Sequence, residues 1–295
     1  MGKRLMQIML VFLAFSLLAV GCQKKEENGT ETAAKPEQKT VKLIYVEWAS
    51  EVASTNVVKA VLQEKMGYKV DTIPVSAAAM WQGIASGDAD AMVAAWLPTT
   101  HGHYLEKVKD KVVDLGPNLV GTKIGLVVPD YVTIDSIDQL NANADKFDGK
   151  IIGIDPGAGL MSKAEKAVKE YDLNKMDLID GSGATMTAAL ADAIRQHKWI
   201  VVTGWTPHWM FARWQLKYLK DPKDVFGGEE EIDTVVRKGL KEDMPAVYNF
   251  LDKFNWTPAD MQEVMSWNQD KNTTPYENAK RWIAENPDKV KAWLE

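Results

Sequence analysis

Three of the eleven tryptophans stand where a short apolar run gives way to polar residues: Trp48 after residues 41–46, Trp96 after 91–95 and Trp205 after 200–204. An indole face attracts positive charge through its ring quadrupole, and it packs well against methyl groups. Several such faces in one cleft suit a quaternary ammonium ion, which has no N–H to donate and gains little from carbonyls or carboxylates beyond charge. Each contact of this kind contributes roughly 0.5–2 kcal/mol, so three supply about 2–6 kcal/mol against the ~8 kcal/mol of a micromolar complex. A second group on the ligand must therefore be recognised too.

Two features point to an anion as that second group. Residues 155–161, Asp-Pro-Gly-Ala-Gly-Leu-Met, read as a strand end, a glycine turn and a helix start. Unpaired N–H groups at the positive end of a helix dipole donate to a carboxylate, and Gly159 has no side chain to block approach. The amides of Gly159 and Leu160 are the candidates, with His101, five residues beyond Trp96, as a further donor. Taken singly, the Gly-x-Gly string is an ordinary turn and the histidine an ordinary loop residue; beside the tryptophans they form a constellation.

The elements that must hold these residues repeat. Trp96-Leu97-Pro98-Thr99-Thr100-His101 recurs in compressed form as Trp205-Thr206-Pro207-His208, and Ser76-Ala77-Ala78-Ala79-Met80 is echoed by Ser182-Gly183-Ala184-Thr185-Met186 at nearly the same separation. In the first half the pattern predicts a strand over 41–46, a helix over 53–66 closed by Gly67, a strand over 69–75, a helix over 80–86 and a buried strand over 91–96. The second half repeats the order: strand 150–154, helix 160–171, strand 176–179, helix 185–197 and strand 200–204. Alternation of this kind specifies α/β architecture with parallel sheets and ligands beyond the carboxyl ends of the strands. Residues 121–129 read as a strand crossing between the halves and 232–237 as the return. Thr257-Pro258 and Thr274-Pro275 each supply an N-cap with proline at the first helical position. Trp256, Trp267, Trp282 and Trp293 are expected to pack those C-terminal helices onto the first half, and Trp81, Trp199 and Trp214 to serve the core. His208 is expected to hydrogen-bond locally and orient the Trp205 loop.

At 295 residues, 46% hydrophobic and 26% charged, the chain can hold two ordinary cores. A net charge of −6 argues against nucleic acid, which needs a clustered basic surface. Lys3 and Arg4 precede an apolar stretch over 5–20 that reads as an export signal spanning 1–21. Cys22, the single cysteine, follows it directly and resembles the lipid-modified residue of a bacterial lipobox, although Ala19 stands where Leu is commoner. Residues 22–40 carry little to bury and read as a disordered tether. The expected location is therefore the extracytoplasmic face of the cell membrane, by a lipid anchor. No elbow, P-loop or zincin helix appears, so no enzyme and no cofactor is expected.

The segments Tyr45-Val46-Glu47-Trp48, residues 95–101, residues 155–162 and residues 203–211, Thr-Gly-Trp-Thr-Pro-His-Trp-Met-Phe, together resemble the glycine-betaine-binding lipoproteins of bacterial ABC importers. The likeness runs from Val41 to the C-terminus. It implies a two-lobed, periplasmic-binding-protein-like (type II) fold with the ligand cleft between lobes, here lobe I over 41–127 plus 233–295 and lobe II over 128–232. It also implies a three-Trp prism at Trp48, Trp96 and Trp205, carboxylate contacts from His101 and the amides of Gly159 and Leu160, and delivery of the cargo to an ABC importer permease for osmoprotectant uptake. Glycine betaine is the expected cargo, with proline betaine fitting both halves of the site. Carnitine and choline are alternatives, and choline, having no carboxylate, would leave donors unpaired. His101-Gly102-His103 leaves a metal-binding lipoprotein as a more distant reading, short of a third and fourth ligand.

Overall fold

The computed structural model describes residues 39–295. The expected export signal, Cys22 and nearly all of the expected tether lie outside the described residues. Strand β1 (Thr40–Tyr45) opens the fold one residue before the apolar run, and Lys39 is tied to the Asp243 carbonyl at 2.6 Å.

The first half continues with α1 (Ala49–Ala60), a π-turn over Val61–Lys65, β2 (Lys69–Pro74), α2 (Ala77–Ser86) and β3 (Ala91–Leu97). Helix α1 starts four residues earlier than its apolar periodicity indicates. Its first turn, Ala49-Ser50-Glu51, carries small and polar residues because it faces a polar network instead of the core, yet Ser50 and Glu51 are fully buried. Trp48 holds the N-cap in extended conformation, and the Val52 amide donates to its carbonyl at 2.9 Å. All seven residues of β3 are buried, as a run without polar alternation requires. A short helix that periodicity does not reveal, α3 (Gly102–Val108), follows His101.

Strand β4 (Val112–Pro129) is far longer than the expected crossing strand and changes partner along its length. The second half then supplies β5 (Lys150–Ile152), α4 (Gly159–Glu170), β6 (Asp177–Ile179), α5 (Gly183–Arg195), β7 (Val201–Thr206), the five-residue α6 (Trp209–Arg213) and β8 (Leu216–Tyr218). Strand β9 (Glu230–Arg237) returns the chain, and α7 (Leu240–Asp243), α8 (Pro245–Lys253), α9 (Pro258–Trp267), α10 (Pro275–Glu285) and α11 (Pro287–Leu294) complete it.

The strand order β2-β1-β3-β9-β4-β7-β5-β6 is symmetric about its middle: each half places its strands second, first, third. Within each half the pairing is parallel. The strands that connect the halves are antiparallel to their neighbours: β9 to β3 and β4, and β4 to β7. The expected parallel pairing thus holds among the alternating strands, while the connecting strands run against their neighbours, since a strand that brings the chain back must run against the one that carried it out. The change of partner on β4 falls between Thr122, opposite Glu230 on β9, and Lys123, opposite Thr206 on β7. Both third strands end on the repeated Trp and a proline, and Leu97–Pro98 and Thr206–Pro207 are both cis.

The C-terminal caps form as expected. Thr257 and Thr274 each accept from the backbone three residues on, and Asp260 and Glu277 reciprocate. Helices α9 and α10 pack on α1. Trp282 is completely buried, stacking on Trp293 at 5.8 Å and meeting Trp256 edge-on at 5.7 Å. Trp81 is core as expected, while Trp199, Trp214 and Trp267 are half-buried. Among the described residues no helix is long and apolar enough to cross a membrane.

Candidate functional site

The ends of β3 and β7 bring Trp96 and Trp205 to one cavity of about 300 Å³, and Trp48 reaches it from the N-cap of α1. His101, Gly159 and Leu160 line the same cavity, so the six residues singled out from the sequence share one wall. Ser50, Thr100, Ala158 and the side chains of Ile124 and Ile154 complete it.

All three indoles are fixed through their N–H groups. Trp48 Nε1 donates to Asp155 Oδ2 at 3.0 Å, Trp96 Nε1 to Glu51 Oε1 at 2.7 Å and Trp205 Nε1 to the Ser50 hydroxyl at 3.1 Å. Ser50 Oγ in turn donates to Glu51 Oε2 at 2.5 Å. With every N–H satisfied at the rim, the ring faces are left for the cavity. Two of these bonds, Trp48 to Asp155 and Trp205 to Ser50, join the first half to the second. Glu51 is buried, and that burial raises its pKa from 4.5 to about 6, against the opposing hydrogen bonds from Ser50 and Trp96.

His101 is completely buried. Its Nδ1 accepts the Trp96 backbone N–H at 3.2 Å, while the His101 backbone N–H donates to the Trp96 carbonyl at 2.7 Å. With Nδ1 accepting from Trp96, we assign the one hydrogen of the neutral imidazole to Nε2. That Nε2–H is buried with no protein partner. Burial, with the charge of the neighbouring His103 adding, pushes the pKa down to about 3, so the ring is neutral across the physiological range. An unpaired buried donor costs of order 1–3 kcal/mol, and here it stands ready for an acceptor.

Opposite stands the start of α4. Ala158 is its N-cap in extended conformation, and no side chain caps the terminus. The first-turn amides of an α-helix have no partner within the helix, so those of Gly159 and Leu160 remain available at the positive end of the dipole. The approach is tight. A Cβ at Gly159 would collide with the Thr100 carbonyl oxygen and would lie 2.7 Å from the Thr100 methyl. Gly204 is needed for a related reason: a Cβ there would meet Val127 Cγ2 at 2.6 Å and Met210 Cε at 2.9 Å, displacing the strand that carries Trp205.

The loop bearing Thr99, Thr100 and His101 is set by Glu230, which accepts the Thr99 and Thr100 amides at 2.6 Å each and the Thr100 hydroxyl at 2.5 Å. Tyr104 of α3 donates to the Gly157 carbonyl at 2.7 Å, a further bond between the halves. His208 occupies the position equivalent to His101 and behaves as expected. Its Nδ1 accepts the Met210 amide at 3.2 Å, and its ring meets Trp205 edge-on at 4.6 Å. It faces a separate cleft beside Gly183 and Trp209. Among the described residues no group of three or more His, Cys, Asp or Glu side chains is placed to hold a metal ion.

Sequence reasoning missed Ser50, Glu51, Glu230 and Tyr104. Ser50 and Glu51 directly follow Trp48, and a polar pair opening an otherwise apolar helix was the available signal. Glu230 and Tyr104 carry no local signal, since each acts on a partner distant in sequence.

Residues 39–285 match the family described as the substrate binding domain of ABC-type glycine betaine transport system. A glycine betaine/carnitine transport binding protein, GbuC of Listeria monocytogenes, is 47% identical over 165 residues, which is 55% of this chain and 55% of that protein, so the chain spans about half the length of this curated relative. Lactococcal OpuAC, solved closed and complexed with glycine betaine, is 48% identical with a TM-score of 0.83, covering 88% of this chain and 100% of that one. The glycine/betaine/L-proline-binding protein ProX of Borrelia burgdorferi is 41% identical with a TM-score of 0.84, covering 87% and 97%. An α/β chain with two pseudo-symmetric halves and a tryptophan-walled cavity that both halves line, matched over nearly all its described length, belongs to the family of substrate-binding domains of ABC-type glycine betaine transport systems.

Proposed function

We propose that this chain captures glycine betaine, and proline betaine, outside the cytoplasm and delivers it to an ABC importer permease for osmoprotectant uptake, held to the membrane by a lipid on Cys22. Trp48, Trp96 and Trp205 take the trimethylammonium group on their faces by cation–π attraction. His101 Nε2 and the Gly159 and Leu160 amides take the carboxylate. The observation that carries this reading is the pairing, in one small cavity, of three indole faces with a buried histidine donor that no protein group satisfies. The geometry favours a zwitterion of this shape over choline, which would leave His101 Nε2 and the helix amides without acceptors.

The lobes expected at 41–127 with 233–295, and at 128–232, are the bodies that close on the ligand. The chain passes between them near the partner change at Thr122–Lys123 and the start of β9 at Glu230. Ligand favours the closed state because only closure brings Trp205 and the α4 amides onto the same molecule as Trp48, Trp96 and His101. Titration of tryptophan fluorescence with glycine betaine, dimethylglycine and glycine tests the reading. Affinity should fall steeply as methyl groups are removed; an equal response to all three would refute the cage.

A further inference from the structure

One layer behind the cavity wall lies a carboxylate that ligand contact does not account for. Glu51 sits in the first turn of α1, 1% exposed, outside the cavity itself. It accepts Trp96 Nε1 with one oxygen and the Ser50 hydroxyl with the other, and Ser50 accepts Trp205 Nε1. Two of the three cage walls, one from each half, therefore hang on a single side chain. None of the ion pairs among the described residues involves Glu51. A buried carboxylate without a cation is costly to the fold, and a helix N-terminus offsets only part of that cost. A structural helix cap needs no such burial, because the same dipole is met as well by an exposed acid.

We propose, resting on the betaine reading above, that Glu51 and Ser50 form a positioning and charge-selecting pair. The carboxylate orients Trp96 directly and Trp205 through Ser50, and its negative field distinguishes a cationic head group from an uncharged one of the same shape. The missing partner of the buried charge is the ligand's ammonium group. Hydrogen-bond donation from Trp96 to an anion also enriches the indole in electron density, which strengthens its attraction for a cation. The pair links cage assembly to closure, because the Ser50–Trp205 bond exists only when the halves meet.

The test compares glycine betaine with tert-butylacetate, its isostere in which carbon replaces the quaternary nitrogen. Both are titrated at neutral pH by tryptophan fluorescence and calorimetry against wild type, Glu51→Gln and Ser50→Ala. Gln accepts from Trp96 and donates to Ser50, so in Glu51→Gln both links survive and only the charge is lost. Its betaine affinity should drop tenfold or more while tert-butylacetate binding stays level or improves, compressing the preference for the cation. Ser50→Ala should weaken both ligands alike and alter the near-UV circular dichroism of the tryptophans. An unchanged preference in Glu51→Gln overturns the charge-selecting role, and unchanged binding and spectrum in Ser50→Ala overturns the positioning role. If Glu51→Gln does not fold, Ser50→Ala still decides whether the link matters. Failure of wild type to bind betaine at all would instead overturn the reading beneath the proposal, and the proposal with it.

Discussion

Side chains at this site are held in place by partners whose own cost is visible. Glu51 has its pKa raised from 4.5 to about 6, so the folded state holds its proton more tightly than the unfolded chain. The sign follows: the associated stability is intact below pH ~4.5 and is lost as pH rises through ~6, leaving the ionised form about 2 kcal/mol unfavourable at neutral pH. Ligand-free Glu51→Gln should therefore melt higher than wild type at neutral pH, with the gap closing by about pH 4.5, as read by calorimetry. A gain in stability joined to a loss of betaine affinity is the signature of a residue kept for binding. The tryptophans should respond in grades. Trp48→Ala removes a face and should weaken betaine binding tenfold or more, if each contact contributes over a kilocalorie. Trp48→Phe keeps an aromatic face, loses only the bond to Asp155, and should fall between. At this scale the sequence exposed residues that line the shared cavity, because tryptophan at a strand end and glycine at a helix start are unusual in themselves. It concealed the residues that hold them: Glu51 and Glu230 act through geometry that appears only when distant segments meet.

Elements were legible wherever local chemistry specifies them. Thr257 and Thr274, each followed by proline, are N-caps readable from the sequence, and the structure closes both as capping boxes with Asp260 and Glu277. Thr274→Ala should cost ~1 kcal/mol of stability while leaving betaine affinity unchanged, since Tyr276 at the start of α10 meets Lys59 and Glu64, at the opposite end of α1 from Ser50 and Glu51. A chemical denaturation curve beside a fluorescence titration separates the two effects. Elements were illegible where tertiary context overrides pattern. The first turn of α1 is buried but polar, so apolar periodicity begins only at Ala53. Strand direction is not a local property either. The run ending at Arg237 reads as a strand from its composition, but its antiparallel sense follows from the route of the chain between the halves.

Across the whole molecule, the halves meet at defined points around the cavity, Trp48 to Asp155, Trp205 to Ser50, Tyr104 to Gly157 and the close seat of Gly159 on Thr100, beside the packing of α6 on α9. A small solute bound where those contacts converge adds to them only in the closed arrangement and so biases the molecule toward it. Gly159 offers a way to separate closure from folding. Its φ lies in the ordinary range, so alanine at the start of α4 carries no backbone strain. The collision with the Thr100 carbonyl arises only when the halves are together. Overpacking of this kind costs about 1–3 kcal/mol, which corresponds to roughly five- to 150-fold in an equilibrium constant. Gly159→Ala should therefore bind glycine betaine about tenfold or more weakly, with an unliganded melting temperature close to that of wild type. Small-angle scattering should show the decrease in radius of gyration on adding betaine diminished at a concentration that saturates wild type. Normal compaction with normal affinity in this variant would mean that the closed state does not press Gly159 against Thr100, and closure would then have to be read from other contacts.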